Sequence, residues 1–141
     1  MKLWIKYLLI TLVIGIPAFF LGHLIWPSSG EIQPSAVQLP FYILLGAIES
    51  LLFGFGVAFI IFTIPKLRKL KPDERKKTIP AFIAVTWFLV SWWPHDNFHM
   101  HNGNNPTGLL LIEYGFHVTL VIASLIIVKY FYWKLKAAKS S

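Results

Sequence analysis

Residues 40–64 read PFYILLGAIESLLFGFGVAFIIFTI, and residues 65–78 continue as PKLRKLKPDERKKT. The first stretch carries one charge, Glu49. At ~1.5 Å per residue a helix of this length crosses the ~30 Å hydrocarbon core of a bilayer. The second stretch holds Lys66, Arg68, Lys69, Lys71, Arg75, Lys76 and Lys77. An apolar helix running into a dense basic segment reads as a membrane span whose exit is cytoplasmic.

Working outward, a second apolar run lies upstream from Leu3 to Trp26, broken by Lys6, Thr11, Pro17 and His23. Lys2 and Lys6 before it and Ser28-Ser29-Gly30 after it suggest a signal peptide. The apolar part is longer than the ~7–15 residues of a signal h-region, so it is read as a retained span. Downstream, Ile79 to Trp93 is short, and Leu109 to Val128 is long and holds Glu113 and His117. Pro40, Pro80 and Asn105-Pro106 mark helix starts. The expectation is an all-α polytopic membrane protein, one domain over 1–141 with four transmembrane helices. The spans are about 3–26, 40–64, 78–93 and 107–132, the third either thinning the bilayer or continuing helically to 100.

Composition agrees. The chain is 56% hydrophobic and 13% charged, against about 25% charge in soluble domains. That excludes disorder and an ordinary soluble enzyme. The absence of cysteine excludes disulfides, thiolate metal sites and cysteine nucleophiles. All 13 Lys and Arg lie at the N-terminus, in the 65–78 loop or at the C-terminal end. The expected topology is therefore N-in and C-in, with loops 27–39 and 94–106 outside and loop 65–77 and both termini cytoplasmic. A prokaryotic plasma membrane is the expected location. The net charge of +7 is a topology signal with lipid as its partner, not a nucleic-acid surface.

In this orientation all five histidines, His23, His95, His99, His101 and His117, belong to the outer half, with Glu31, Glu49, Asp96 and Glu113. Ionisable groups at membrane depth face the bundle interior and find partners. Counting from the outer boundary places Glu49 about 13 Å and His117 about 12 Å deep, which predicts a buried Glu49–His117 pair. Glu113 lies one helical turn from His117, on the same face.

The segment Trp92-Trp93-Pro94-His95-Asp96-Asn97-Phe98-His99-Met100-His101 concentrates ligand types. If helical, it places His95 and His99 on one face; if extended, His99 and His101 point the same way. The candidate metal ligands are His95, His99, His101, Asp96, Glu113 and His117, with His23 as an additional one. His95 and His99 are expected to converge with His117 or Glu113, because a short loop joins the third and fourth spans. Such a nitrogen and oxygen set suits copper, zinc or iron. A ferritin-type di-iron site fails, because Glu113 and His117 stand one residue too far apart for Glu-x-x-His. Haem on His23 and His117 is disfavoured by an estimated depth difference of about 7 Å.

Small residues at Gly46, Ser50, Gly54 and Ala58 make a stripe for close helix packing. Trp26, Trp92 and Trp93 outside, and Tyr130, Tyr132 and Trp133 inside, read as interfacial belts. Three functions compete. The first is a membrane metalloprotein, redox or metal-handling, with its site in the outer leaflet. The second is a non-catalytic accessory subunit of a larger respiratory or oxygenase-type complex, packed on other subunits or on copies of itself. The third is a proton-coupled transporter, weakened because Thr63 and Ser124 are nearly the only polar side chains in the inner halves of their spans. Whether any reaction is catalysed stays open at this point.

Overall fold

The computed structural model describes residues 1–30 and 33–139. Glu31, assigned above to the outer half, lies outside them. The chain is all-helical over the described residues, with α1 (Leu3–Ile25), α2 (Leu39–Arg68), α3 (Pro72–Val90), α4 (Trp92–Asn102) and α5 (Pro106–Lys139). Three of these, α1, α2 and α5, are long and apolar enough to cross a membrane. The expected third span does not stand on its own, because Asp73, Glu74, Arg75, Lys76 and Lys77 fill the first turns of α3. Its apolar remainder, Ile79 to Val90, covers only about 18 Å.

The expected histidine-rich loop is mostly helix. Pro94 is the third residue of α4, where a missing N–H removes no bond inside that helix. The bond it does remove is the one to the carbonyl of Val90, and the chain breaks there for the single residue Ser91. Ser91 keeps the path nearly continuous: its N–H donates to Trp87 O at 3.0 Å and its carbonyl accepts from His95 N at 3.1 Å. Only residues 103–105 remain between α4 and α5, with Gly103 at φ 54 turning the chain.

α1, α2, the α3–α4 pair and α5 run alternately up and down, as ring contacts and polar pairs show. Tyr7 of α1 meets Phe55 and Phe62 of α2. Phe59 of α2 stacks on Phe82 of α3, and Phe53 meets Trp93 of α4. At one end of α5, Lys134 Nζ lies 3.2 Å from Glu74 Oε1 of α3. At the other end, Glu113 meets His99 of α4. Those two contacts are about 32 Å apart along α5, a distance that α3 and α4 span together. α2 packs on α1, α3 and α4, while α5 packs on α3 and α4.

Size sorting in this row is the reverse of a water-soluble core. Most of the buried residues of α1 and α2 are small: Gly15, Ala18 and Gly22 on α1, and Ser50, Gly54, Gly56 and Ala58 on α2. Large side chains such as Phe20, Phe41, Leu111 and Leu125 are exposed. Water would drive those side chains inward, whereas lipid accepts them and rewards close helix contact instead. The small-residue stripe of α2 serves that contact. A Cβ at Gly15 would come 2.9 Å from Ser50 O, and one at Gly54 would collide with Thr11 O. Trp93, expected in an interfacial belt, is buried at 9% exposure instead. Its Nε1–H donates to Ala18 O at 3.2 Å, and Trp26 packs edge-on at 5.0 Å.

Candidate metal centre

A helical α4 has two working faces. Trp92, His95 and His99 lie toward α5, and Trp93, Asp96, Asn97 and Met100 lie toward α1 and α2. The spacing is the i, i+3, i+4 rule of an α-helix.

On the α5 side, one carboxylate and three imidazoles converge. Glu113 stands between two rings, with Oε1 2.8 Å from His99 Nε2 and Oε2 2.7 Å from His117 Nδ1. The same His117 nitrogen lies 2.9 Å from the Glu113 carbonyl. His99 Nε2 is also 3.1 Å from His95 Nε2, so a proton on His99 Nε2 faces both acceptors. One ligand atom from each of His95, Glu113 and His117 lies within 4.8 Å of the others. That group can hold a metal ion. Its members differ in access: the His95 side chain is 10% exposed, and that of His117 is 56% exposed.

The protein wall behind the cluster is aromatic. The His95 ring stacks on Phe116 at 3.8 Å and 19°, and Trp92 meets Phe116 edge-on. His95 Nδ1 is buried without a hydrogen-bond partner. Asp96 Oδ1 lies 3.5 Å from it, too far for a good hydrogen bond. A neutral imidazole is the form that binds metal.

Several expected site residues lie elsewhere. His101 Nδ1 donates to Pro27 O at 2.9 Å, fastening the end of α4 to the linker after α1. In a helix, positions two apart diverge, which separates His101 from His99. Asp96 faces α2, where it lines one cavity with Glu49. The expected Glu49–His117 pair is not formed, since α3 and α4 stand between α2 and α5. His23 lines a cavity with Glu49 and Asp96, away from His117 and its partners. The sequence reading missed Phe116 as the wall of the site. Its signal was there: it lies three residues after Glu113, on the face that Glu113 and His117 share.

Fold and site define a class: an all-helical protein with membrane-type helices and a His/Glu cluster suited to a metal. No family model matches the chain, and no curated protein or solved structure matches it.

Proposed function

We propose that this chain is an integral membrane metalloprotein whose metal centre, built from His95, Glu113 and His117, lies at the outer end of the helices. The observation that carries the reading is the approach of those three ligand atoms to within 4.8 Å. His99, in contact with both His95 and Glu113, orients the carboxylate or joins as a fourth ligand. An all-nitrogen and oxygen set suits zinc, copper(II) or iron. The exposed His117 side leaves room for an exchangeable ligand, as catalytic and metal-transfer sites require.

The same proposal includes four membrane crossings, with α3 and α4 together forming the third. Their combined reach supports this, because Glu74 and His99 meet residues of α5 about 32 Å apart, enough for the ~30 Å hydrocarbon core. Four crossings bring both termini and the basic segment 65–77, the end of α2 and the start of α3, to one side, which the positive-inside rule makes cytoplasmic. The exposed apolar side chains of α1 and α5 then face lipid.

The test is elemental analysis of protein purified in detergent without added metal, and after incubation with zinc, copper(II) or iron(II) and gel filtration. Wild type retains about one equivalent of one of these metals. The His95→Ala/His117→Ala variant loses it while keeping helical circular dichroism and its elution position. Wild type that retains no metal after loading, or a folded double variant with full content, refutes the proposal.

A further inference from the structure

From Leu109 to Val128, about 30 Å of helix, α5 carries a single acidic or basic residue, Glu113, and Lys129 follows. That stretch matches the hydrocarbon core. It puts Glu113 about 6 Å and His117 about 12 Å below its outer end. Both side chains reach the surface, Glu113 at 42% exposure and His117 more so. The surface around them is apolar or aromatic: Leu110, Tyr114, Val118 and Val121 are each more than half exposed. At that depth, an exposed side of the cluster meets lipid. The other directions are closed. Toward the protein, Phe116 and Leu120 are buried, and the His95 ring lies flat on Phe116. Toward the outer solution, Asn102 of α4 packs so tightly on Gly108 of α5 that an added Cβ would collide with its amide oxygen. The His99–Glu113 contact follows about one turn below.

Charge selects what can enter from that side. The group offers two imidazoles and one carboxylate, so a divalent ion held by neutral rings keeps one positive charge. Beside lipid, an unbalanced charge is costly. An anionic oxygen donor cancels it and fills the open coordination position at once. A small soluble anion would first have to leave water for the hydrocarbon core. A phospholipid phosphate stays in the headgroup region, above Glu113. A carboxylate on an alkyl chain meets both demands: its oxygen reaches the ion, and its chain lies in lipid against Tyr114 and Val118.

We propose that the open position of the metal centre, on which this inference rests, is reached from within the bilayer and takes the carboxylate of a long-chain acid. The ligand slides in between the lipid and the face of α5 that carries Leu110, Tyr114, Val118 and Val121.

Cobalt(II) or copper(II) in the centre reports its ligands through visible absorption bands, read on protein in phosphatidylcholine nanodiscs. Decanoate shifts those bands. Decanol, with the same chain and a neutral head, leaves them unchanged, as does acetate, with the same head and no chain. No response to decanoate, or an equal response to acetate at equal aqueous concentration, overturns the proposal and leaves the metal reading standing. Protein that takes up no divalent metal overturns both. Access is measured without any metal, because the chain has no native cysteine and single spin labels are unambiguous. A nitroxide on Tyr114→Cys or Val118→Cys collides more with dissolved oxygen than with a water-soluble nickel chelate, and one on Lys69→Cys, in the basic segment, shows the reverse. More collisions with the chelate at both α5 positions would put the open side in water and overturn the proposal.

Discussion

His95 is surrounded by His99 and Asp96 on its own helix and by Glu113 and His117 across from it on α5. A metal that binds this cluster and not the unfolded chain stabilises the folded protein. Thermal unfolding should therefore show a higher Tm for zinc-loaded than for metal-free protein. In His95→Gln that difference should shrink; an unchanged difference would place the ion elsewhere. The sequence marked His95 and His99 as converging with His117 or Glu113, because helical spacing and a short connection constrain them. It misassigned Asp96 and His101, which depend on the angular position of each residue around α4. Composition carries no such angle for a segment that reads equally as loop or helix.

At the scale of elements, α1 and α2 depend on small residues for contact. Gly54 is the closest point, where a Cβ would collide with Thr11 O and lie 2.8 Å from Gly15 N. Both are backbone atoms, which cannot turn aside. Gly54→Val should therefore cost roughly 1–3 kcal/mol, the usual range for overpacking. Gly115, where an added Cβ meets nothing within 4 Å, provides the control, and Gly115→Ala should leave stability unchanged or slightly raised. Unfolding in mixed detergent measures both; equal effects would mean that α1 and α2 do not pack on this stripe. The apolar runs behind α1, α2 and α5 were legible because length and composition suffice for a membrane helix. Helix α4 was legible only as an alternative, since Pro94 and its polar residues resemble a loop until Pro94 is placed in a first turn. The partners of each helix were not legible: depth alone paired Glu49 with His117, and the order of helices put α3 and α4 between them.

At the scale of the whole molecule, the basic residues and the imidazole cluster belong to opposite ends. Lys77 lies 4.7 Å over the Trp133 ring, and Lys134 pairs with Glu74, at one end of the α3–α5 contact. His99 and Glu113 meet at the other. Reporter fusions after Ser29 and Gly103 should read outside, and one after Lys71 inside; an inside reading at Gly103 would invert the proposed topology. The central claim is that His95, Glu113 and His117 hold a metal, and X-ray absorption at the edge of the bound metal tests it most directly. For zinc, the account predicts nitrogen and oxygen ligands near 2.0–2.1 Å, with imidazole scattering that disappears in His95→Ala/His117→Ala. An all-oxygen shell without imidazole scattering in wild type would show an ion bound elsewhere and contradict it.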